Sequence, residues 1–287
     1  MTKKKFFSPA KVNLYLEVLS KNQNGFHNLN SLMCFCDIGD YISIEKSNKF
    51  SIEIVGPFSK LLYNYQNNLI TIALKRFEKI VKKEFLVKIC LQKNLPISSG
   101  LGGGSSNVAA VIRAIIEIYN LSIQKSTLDK FLFSVGSDIP FCFYGKTSIV
   151  RGSGNILEPI ENLNETYILL VNPMIEIPTK EIFKQVKNFN HNPTNFVDKK
   201  VSNEKFLKFL CNAKNDLESI VSNSYPEIKL ILNTLSKTNT NIRRMSGSGG
   251  TCFGLFESKK DLNDAENKLL SLKNKWWIKK GKILNYI

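Results

Sequence analysis

Leu95-Pro96-Ile97-Ser98-Ser99-Gly100-Leu101-Gly102-Gly103-Gly104-Ser105-Ser106-Asn107 opens directly onto a helical pattern. Apolar residues follow at Val108, Val111, Ile112, Ile115 and Ile116. That spacing puts them on one face of an amphipathic helix. A glycine-rich loop at a helix N-terminus can cradle an anion. Its backbone N–H groups reach a ligand unobstructed, and the helix dipole favours negative charge. Pro96 and the strong helix bound the loop tightly, which argues against a flexible linker.

Spacing excludes the commonest cradles. A P-loop needs G-x-x-x-x-G-K-[ST]. Gly145-Lys146-Thr147 supplies the end, but the required first glycine falls on Pro140. The dinucleotide pattern G-x-G-x-x-G fails from Gly100, Gly152 and Gly247, where the last position holds Ser105, Leu157 and Cys252. The nucleophile elbow G-x-S-x-G is absent.

Outward from the loop, residues 11–18 alternate with period two and read as a half-buried strand, as do 41–45 and 50–54. Asn67-Asn68 precedes a helix running to about Lys82, and residues 85–91 read as a strand. Ser126 and Asp129 fit a capping box for a helix that Gly136 ends. A polar stretch at 161–165 marks a boundary, giving domains 1–163 and 164–287. Residues 167–171 read as a buried strand, 187–203 as a loop or insertion, and 215–222 and 226–235 as helices. Ser246-Gly247-Ser248-Gly249-Gly250 is expected between a helix and a strand at 252–256.

The chain has 287 residues, with 40 Lys+Arg against 24 Asp+Glu, so its formal charge is +16. That excess fits a polyanionic partner. Only Arg76, Arg113, Arg151, Arg243 and Arg244 are arginines, however, and the spread of Lys also fits compositional drift. The cysteines Cys34, Cys36, Cys90, Cys142, Cys211 and Cys252 form no CxxC pair, and the histidines are only His27 and His191. The thiols are expected buried and reduced, and no structural metal is expected. No run reaches the roughly 18 apolar residues of a membrane span. The apolar stretch at Phe6-Phe7 is too short for a signal peptide. A cytoplasmic protein is expected, without nucleic-acid or membrane partners, as a monomer or weak homodimer.

Pro96 to Ser106 resembles the phosphate loop of the galactose, homoserine, mevalonate and phosphomevalonate kinase superfamily. Pro9-Ala10-Lys11-Val12-Asn13-Leu14 is similar to that superfamily's first motif, and Ser246 to Phe253 to its third. Asn24-Gly25-Phe26-His27, Gly136-Ser137-Asp138-Ile139-Pro140-Phe141, Pro173 to Thr179 and Asn215-Asp216-Leu217-Glu218 resemble the branch that phosphorylates 4-diphosphocytidyl-2-C-methyl-D-erythritol. Phe26 departs from that branch, which has Tyr there. Stacking survives the change and the phenol hydrogen bond does not.

The resemblance implies an α/β (α+β) two-domain kinase fold, with ATP and substrate meeting in the interdomain cleft. It implies Mg²⁺-ATP and transfer of the γ-phosphoryl to the 2-hydroxyl of the diphosphocytidyl alcohol. Asp138 is the expected general base and Lys11 the partner cation that keeps it charged. Pro96, Gly100, Leu101, Gly102, Gly103, Gly104, Ser105 and Ser106 are expected around the ATP phosphates. Asn13 shares a strand face with Lys11. Asn13, Phe26, His27, Thr179, Phe183 and Gly249 are expected at the substrate, with Phe26 and Phe183 on the two faces of cytosine. A mevalonate- or homoserine-type kinase and a basic RNA-binding module stay open as alternatives.

Overall fold

The computed structural model describes residues 3–23, 25–62, 68–160, 166–189, 192–194, 203–272 and 275–287. Asn24, Asn67, His191, the boundary stretch 161–165 and most of the 190–202 segment lie outside the described residues. Contacts divide the chain into two compact units that are not consecutive in sequence. The first holds residues 1–10, 39–97 and 102–145; the second holds 11–38, 98–101 and 146–287. Two strands, β1 (Lys4–Lys21) and β2 (His27–Lys46), each contribute residues to both.

In the first unit, β4 (Val87–Gln92) lies between β2 and β3 (Ser51–Val55). It is antiparallel to β2, with Tyr41 opposite Gln92, and parallel to β3, with Ser51 opposite Lys88. The helices are α1 (Leu69–Val81), α2 (Gly103–Ile118), α3 (Lys125–Val135) and α4 (Ile139–Tyr144). Asn68 caps α1, its side chain accepting from Ile70 N at 2.8 Å. The core packs Ile42, Ile44, Phe77, Ile89, Val111 and Phe131 together, so the apolar stripe that follows the glycine loop is a core face.

The second unit contains β5 (Ser148–Gly152), β6 (Ile156–Pro159), β7 (Tyr167–Asn172), α5 (Thr179–Lys184), α6 (Asn203–Asn212), α7 (Glu218–Ser224), α8 (Pro226–Leu235), β8 (Ile242–Met245), β9 (Cys252–Phe256), α9 (Lys259–Leu270) and β10 (Trp277–Leu284). Its strands pair β8–β9–β7–β10, all antiparallel. β10 also pairs with β2 at Ile283 opposite Cys36. Leu169, Val171, Ile228, Ile231 and Phe256 belong to its core.

Several local readings need correction. Residues 8–18 of β1 are buried on both faces rather than one. Lys11, Asn13 and Glu17 are 4%, 1% and 1% exposed, and alternation cannot show that a polar face is also covered. Ser126 and Asp129 form no capping box. Helix α3 begins at Lys125 with Gln124 at its N-cap, and the Asp129 carboxylate is taken by Lys125 and the Tyr144 hydroxyl. The segment before the second glycine cluster is strand β8, not a helix; its Arg243-Arg244 pair hid the pattern. The helix expected from Asn215 begins at Glu218, because the Asn215 side chain accepts from Leu217 N at 2.9 Å and shapes a turn first. All six thiols are free, but Cys211 is exposed and Cys90 half-buried. Among the described residues no helix is long and apolar enough to cross a membrane.

The glycine loop hangs on a buried ion pair of the first unit. Asp40 on β2 accepts from Lys93 Nζ at 2.5 Å, Asn94 N at 2.6 Å and Leu95 N at 2.8 Å. Asp40 and Lys93 are 0% and 3% exposed. Burial pulls the Lys93 ammonium below the usual lysine range, and Asp40 opposes that. Removing one partner strands the other charge in a low-dielectric interior. Asp40→Ala is expected to lower stability by about 3–5 kcal/mol. A urea melt showing under about 1 kcal/mol would remove the pair from this role.

Candidate active site

The loop leaves the first unit after Ile97, contributes residues 98–101 to the second, and returns at Gly102. Within the second unit, the three sequence motifs are joined by hydrogen bonds. Lys11 N donates to Leu101 O at 2.8 Å, and Thr251 N to Ser99 O at 3.1 Å. The Ser246 hydroxyl accepts from Asn13 N at 3.1 Å and donates to Gly100 O at 3.0 Å. One buried serine therefore ties the first, second and third motifs together.

Gly100 answers to this crowding. Its φ is +76°, and an added Cβ would strike Ser246 O and lie 2.6 Å from Gly249 O. Gly249 has φ +97°, and a Cβ there would lie 2.9 Å from Met245 Sδ. Both positions need glycine for conformation and for space.

Lys11 and Asn13 project to one side of β1, as their spacing predicts. Lys11 Nζ donates to Asn13 Oδ1 at 2.9 Å, and Asn13 Nδ2 donates to Ser31 Oγ at 2.8 Å. The Asn13 amide is thus fixed with its oxygen toward the lysine. Thr179 and Ser248 share a hydrogen bond at 2.8 Å, which brings an expected substrate residue onto the third motif. The His27 and Phe183 rings lie 5.0 Å apart at 33°. Burial, with help from Lys21, lowers the His27 imidazole below the usual histidine range. Phe26 is 51% exposed, the only ring of that group so open.

In the first unit, Gly102 is left-handed at φ 60° and caps α2. Gly103 and Ser106 are buried, Gly104 is exposed and Ser105 half-buried. A Cβ on Gly103 would lie 3.1 Å from Lys93 Nζ, so the buried pair also backs the start of α2. Among the described residues, buried Ser106 Oγ finds no hydrogen-bond partner. Pro96 and the Leu101 side chain are buried, which leaves only the Leu101 backbone for a ligand. Asp138 stands half-buried at the start of α4, where its side chain makes no capping bond. Arg113 of α2 donates to Cys142 O and Phe143 O at 2.8 and 2.9 Å. The helix that begins with the glycine loop thereby grips the helix that begins with Asp138.

Reasoning from sequence missed Asp40, Lys93, Arg113 and the supports of the third motif. Asn215 Nδ2 donates to Met245 O and Gly247 O, both at 2.8 Å. Glu218 accepts from Met245 N at 2.7 Å, and Asp216 from Val18 N at 2.8 Å. The Asn215-to-Glu218 stretch was visible as a motif, but its work on the loop was not.

The family described as GHMP kinases N terminal domain matches residues 68–146, and GHMP kinases C terminal matches 202–275. A 4-diphosphocytidyl-2-C-methyl-D-erythritol kinase of Agrobacterium fabrum is 34% identical over 94% of this chain and 93% of its own. That of Rhizobium etli is 33% identical over 94% and 91%. A crystal structure of 4-(cytidine 5'-diphospho)-2C-methyl-D-erythritol kinase superposes with a TM-score of 0.78 at 26% identity, covering 98% of this chain and 99% of that one. Homoserine kinase from Cytophaga hutchinsonii shares the fold, with a TM-score of 0.72 at 16% identity over 100% of this chain and 96% of its own. The specific relatives thus lie on the side of the diphosphocytidyl branch, and the chain belongs to the 4-diphosphocytidyl-2-C-methyl-D-erythritol kinase family of the GHMP kinases.

Proposed function

We propose that this kinase transfers the γ-phosphoryl of ATP to the 2-hydroxyl of 4-diphosphocytidyl-2-C-methyl-D-erythritol. The observation that carries the reading is the hydrogen-bonded junction of the three motifs at Ser246, which gathers Lys11, Asn13 and the glycine loop around one buried hydroxyl. Phosphoryl transfer asks mainly for positioning and charge neutralisation, and a rigid junction serves both.

Asp138 takes the proton of the attacking hydroxyl. Lys11 offsets the charge of the base and of the transferring group, and Asn13 orients the accepting end. Residues 100–106 wrap the ATP phosphates with backbone N–H groups and the hydroxyls of Ser105 and Ser106. Among the described residues no three His, Cys, Asp or Glu side chains form a metal-holding group. Mg²⁺ bound chiefly by ATP and water needs no such group. The Ser106 hydroxyl, unpartnered among the described residues, is the donor this chain offers it. When bound, the ion neutralises phosphate charge.

Phe26 and Phe183 hold the cytosine faces, and neutral His27 reads its edge. Thr179 and Gly249 line the accepting end. In this reading residues 1–163 bind the nucleotide, 164–287 complete the substrate site, and the enzyme works in the cytoplasm as a monomer or weak homodimer.

The direct test is ADP release from Mg-ATP with four acceptors: the diphosphocytidyl alcohol, 2-C-methyl-D-erythritol, mevalonate and homoserine. Turnover with the first alone is expected. Turnover with a small acceptor instead would discard the cytosine-reading residues.

Asp138→Asn is expected to cut kcat by about 10²–10⁴-fold with substrate affinity kept, and full activity would end its assignment as base. Phe26→Ala is expected to weaken cytidyl-substrate binding about tenfold, since base stacking is worth about 1–3 kcal/mol. An unchanged affinity refutes the stacking. Gly100→Ala, which must push the junction apart, is expected to lower kcat/KM about 100-fold; a near-native value would show that the loop adapts.

A further inference from the structure

The surface of the second unit carries an open cleft of about 710 Å³ lined by Lys214, Asp216, Glu218, Lys229, Arg243 and Arg244. None of these side chains has a part in the proposed phosphoryl transfer. The balance is four basic groups against two acidic ones. Some are already committed. Lys214 pairs with Asp216 at 3.0 Å. Arg244 donates to Leu14 O, Leu210 O and Ala213 O. One Glu218 oxygen accepts from Met245 N; burial raises its carboxyl above the usual carboxylate range, and the charges of Arg244 and Arg243 pull against that.

Among the described residues, no hydrogen bond or ion pair engages the Lys229 ammonium or the Arg243 guanidinium. Both are exposed on the cleft wall. Ser222 and Asn233 add neutral hydrogen-bonding groups beside them. The volume falls within the roughly 300–1,000 Å³ of small-molecule sites and exceeds what free phosphate would fill.

We propose that this cleft is an effector site for a small organic phosphate, an ester carrying both a phosphate dianion and hydroxyl groups. Lys229 and Arg243 meet the phosphate, and the neutral groups meet the hydroxyls. The site reaches the third motif through its own walls. Asn215, also on the cleft, holds Met245 O and Gly247 O, and Glu218 holds Met245 N. Arg243 lies on β8, which runs straight into Ser246. An occupant drawing on Arg243 or Glu218 therefore bears on the serine that joins the motifs.

The test titrates ribose 5-phosphate into the full chain saturated with ADP and cytidine 5'-diphosphate, so that the phosphate loop and cytidyl site are filled. Ribose and inorganic phosphate serve as separate titrants. Binding of ribose 5-phosphate is expected, tighter than either part alone. In the Lys229→Gln/Arg243→Gln double variant the Kd is expected to rise about tenfold or more. Turnover at saturating ATP and acceptor should change with ribose 5-phosphate in the wild type and not in the variant. Equal basal turnover of the two proteins separates this inference from the assigned activity. No binding to the saturated protein, undiminished binding to the variant, inorganic phosphate binding as well as the ester, or binding without any change in turnover would each overturn the effector site.

Discussion

The carboxylate of Asp40 decides where the glycine loop begins. A buried carboxylate tolerates its position only if its lone pairs are filled. Here they are filled by the Lys93 ammonium and by the N–H groups of Asn94 and Leu95, the residues that lead into Pro96. The same ammonium backs Gly103 at the start of α2. Both ends of the loop therefore refer to one charge pair. A loop of glycines has no side chains with which to hold itself in place, so its order must be imposed from its flanks. An apolar pair could fill the same volume but would not direct two backbone donors.

The third motif is held on the same principle with different chemistry. Asn215 and Glu218 address the backbone of Met245 and Gly247, and Ser246 passes that order on to β1 and to Gly100. Side chains from α7 and the turn before it thereby govern a segment distant in sequence. Arg113 does comparable work in the first unit, where α2 fixes the far end of α4. In each case a polar side chain with several donors or acceptors spends them on main-chain groups. The result is rigid positioning beside residues proposed for the chemistry.

Much of this was legible in the sequence. The loop and its helix announced themselves by glycine content and apolar period, and Pro226–Leu235 and Cys252–Phe256 coincide with their expected bounds. What stayed hidden has one physical origin. Periodicity reports which face of an element is apolar, and it is silent where polar residues are buried and paired. Lys11, Asn13 and Glu17 therefore read as one wet face of a strand that is in truth covered. Arg244, buried against three carbonyls, disguised β8 in the same way. Of the expected site, the Lys11–Asn13 and His27–Phe183 pairs are visible in the geometry, whereas the supports behind them depend on partners far along the chain.

β10 closes the sheet of the second unit by pairing Ile283 with Cys36 on one side and Ile278 with Val171 on the other. A ribosome releases the chain from its N-terminus, and a strand can pair only with what has already emerged. Cys36 must therefore wait for its neighbour until Ile283 has emerged. During that interval the β2 edge at Cys36 and one edge of β7 lack their final partner, and such unpaired edges invite wrong partners. Slow, non-local closure of this kind makes production of the protein sensitive to translation speed and to holding chaperones.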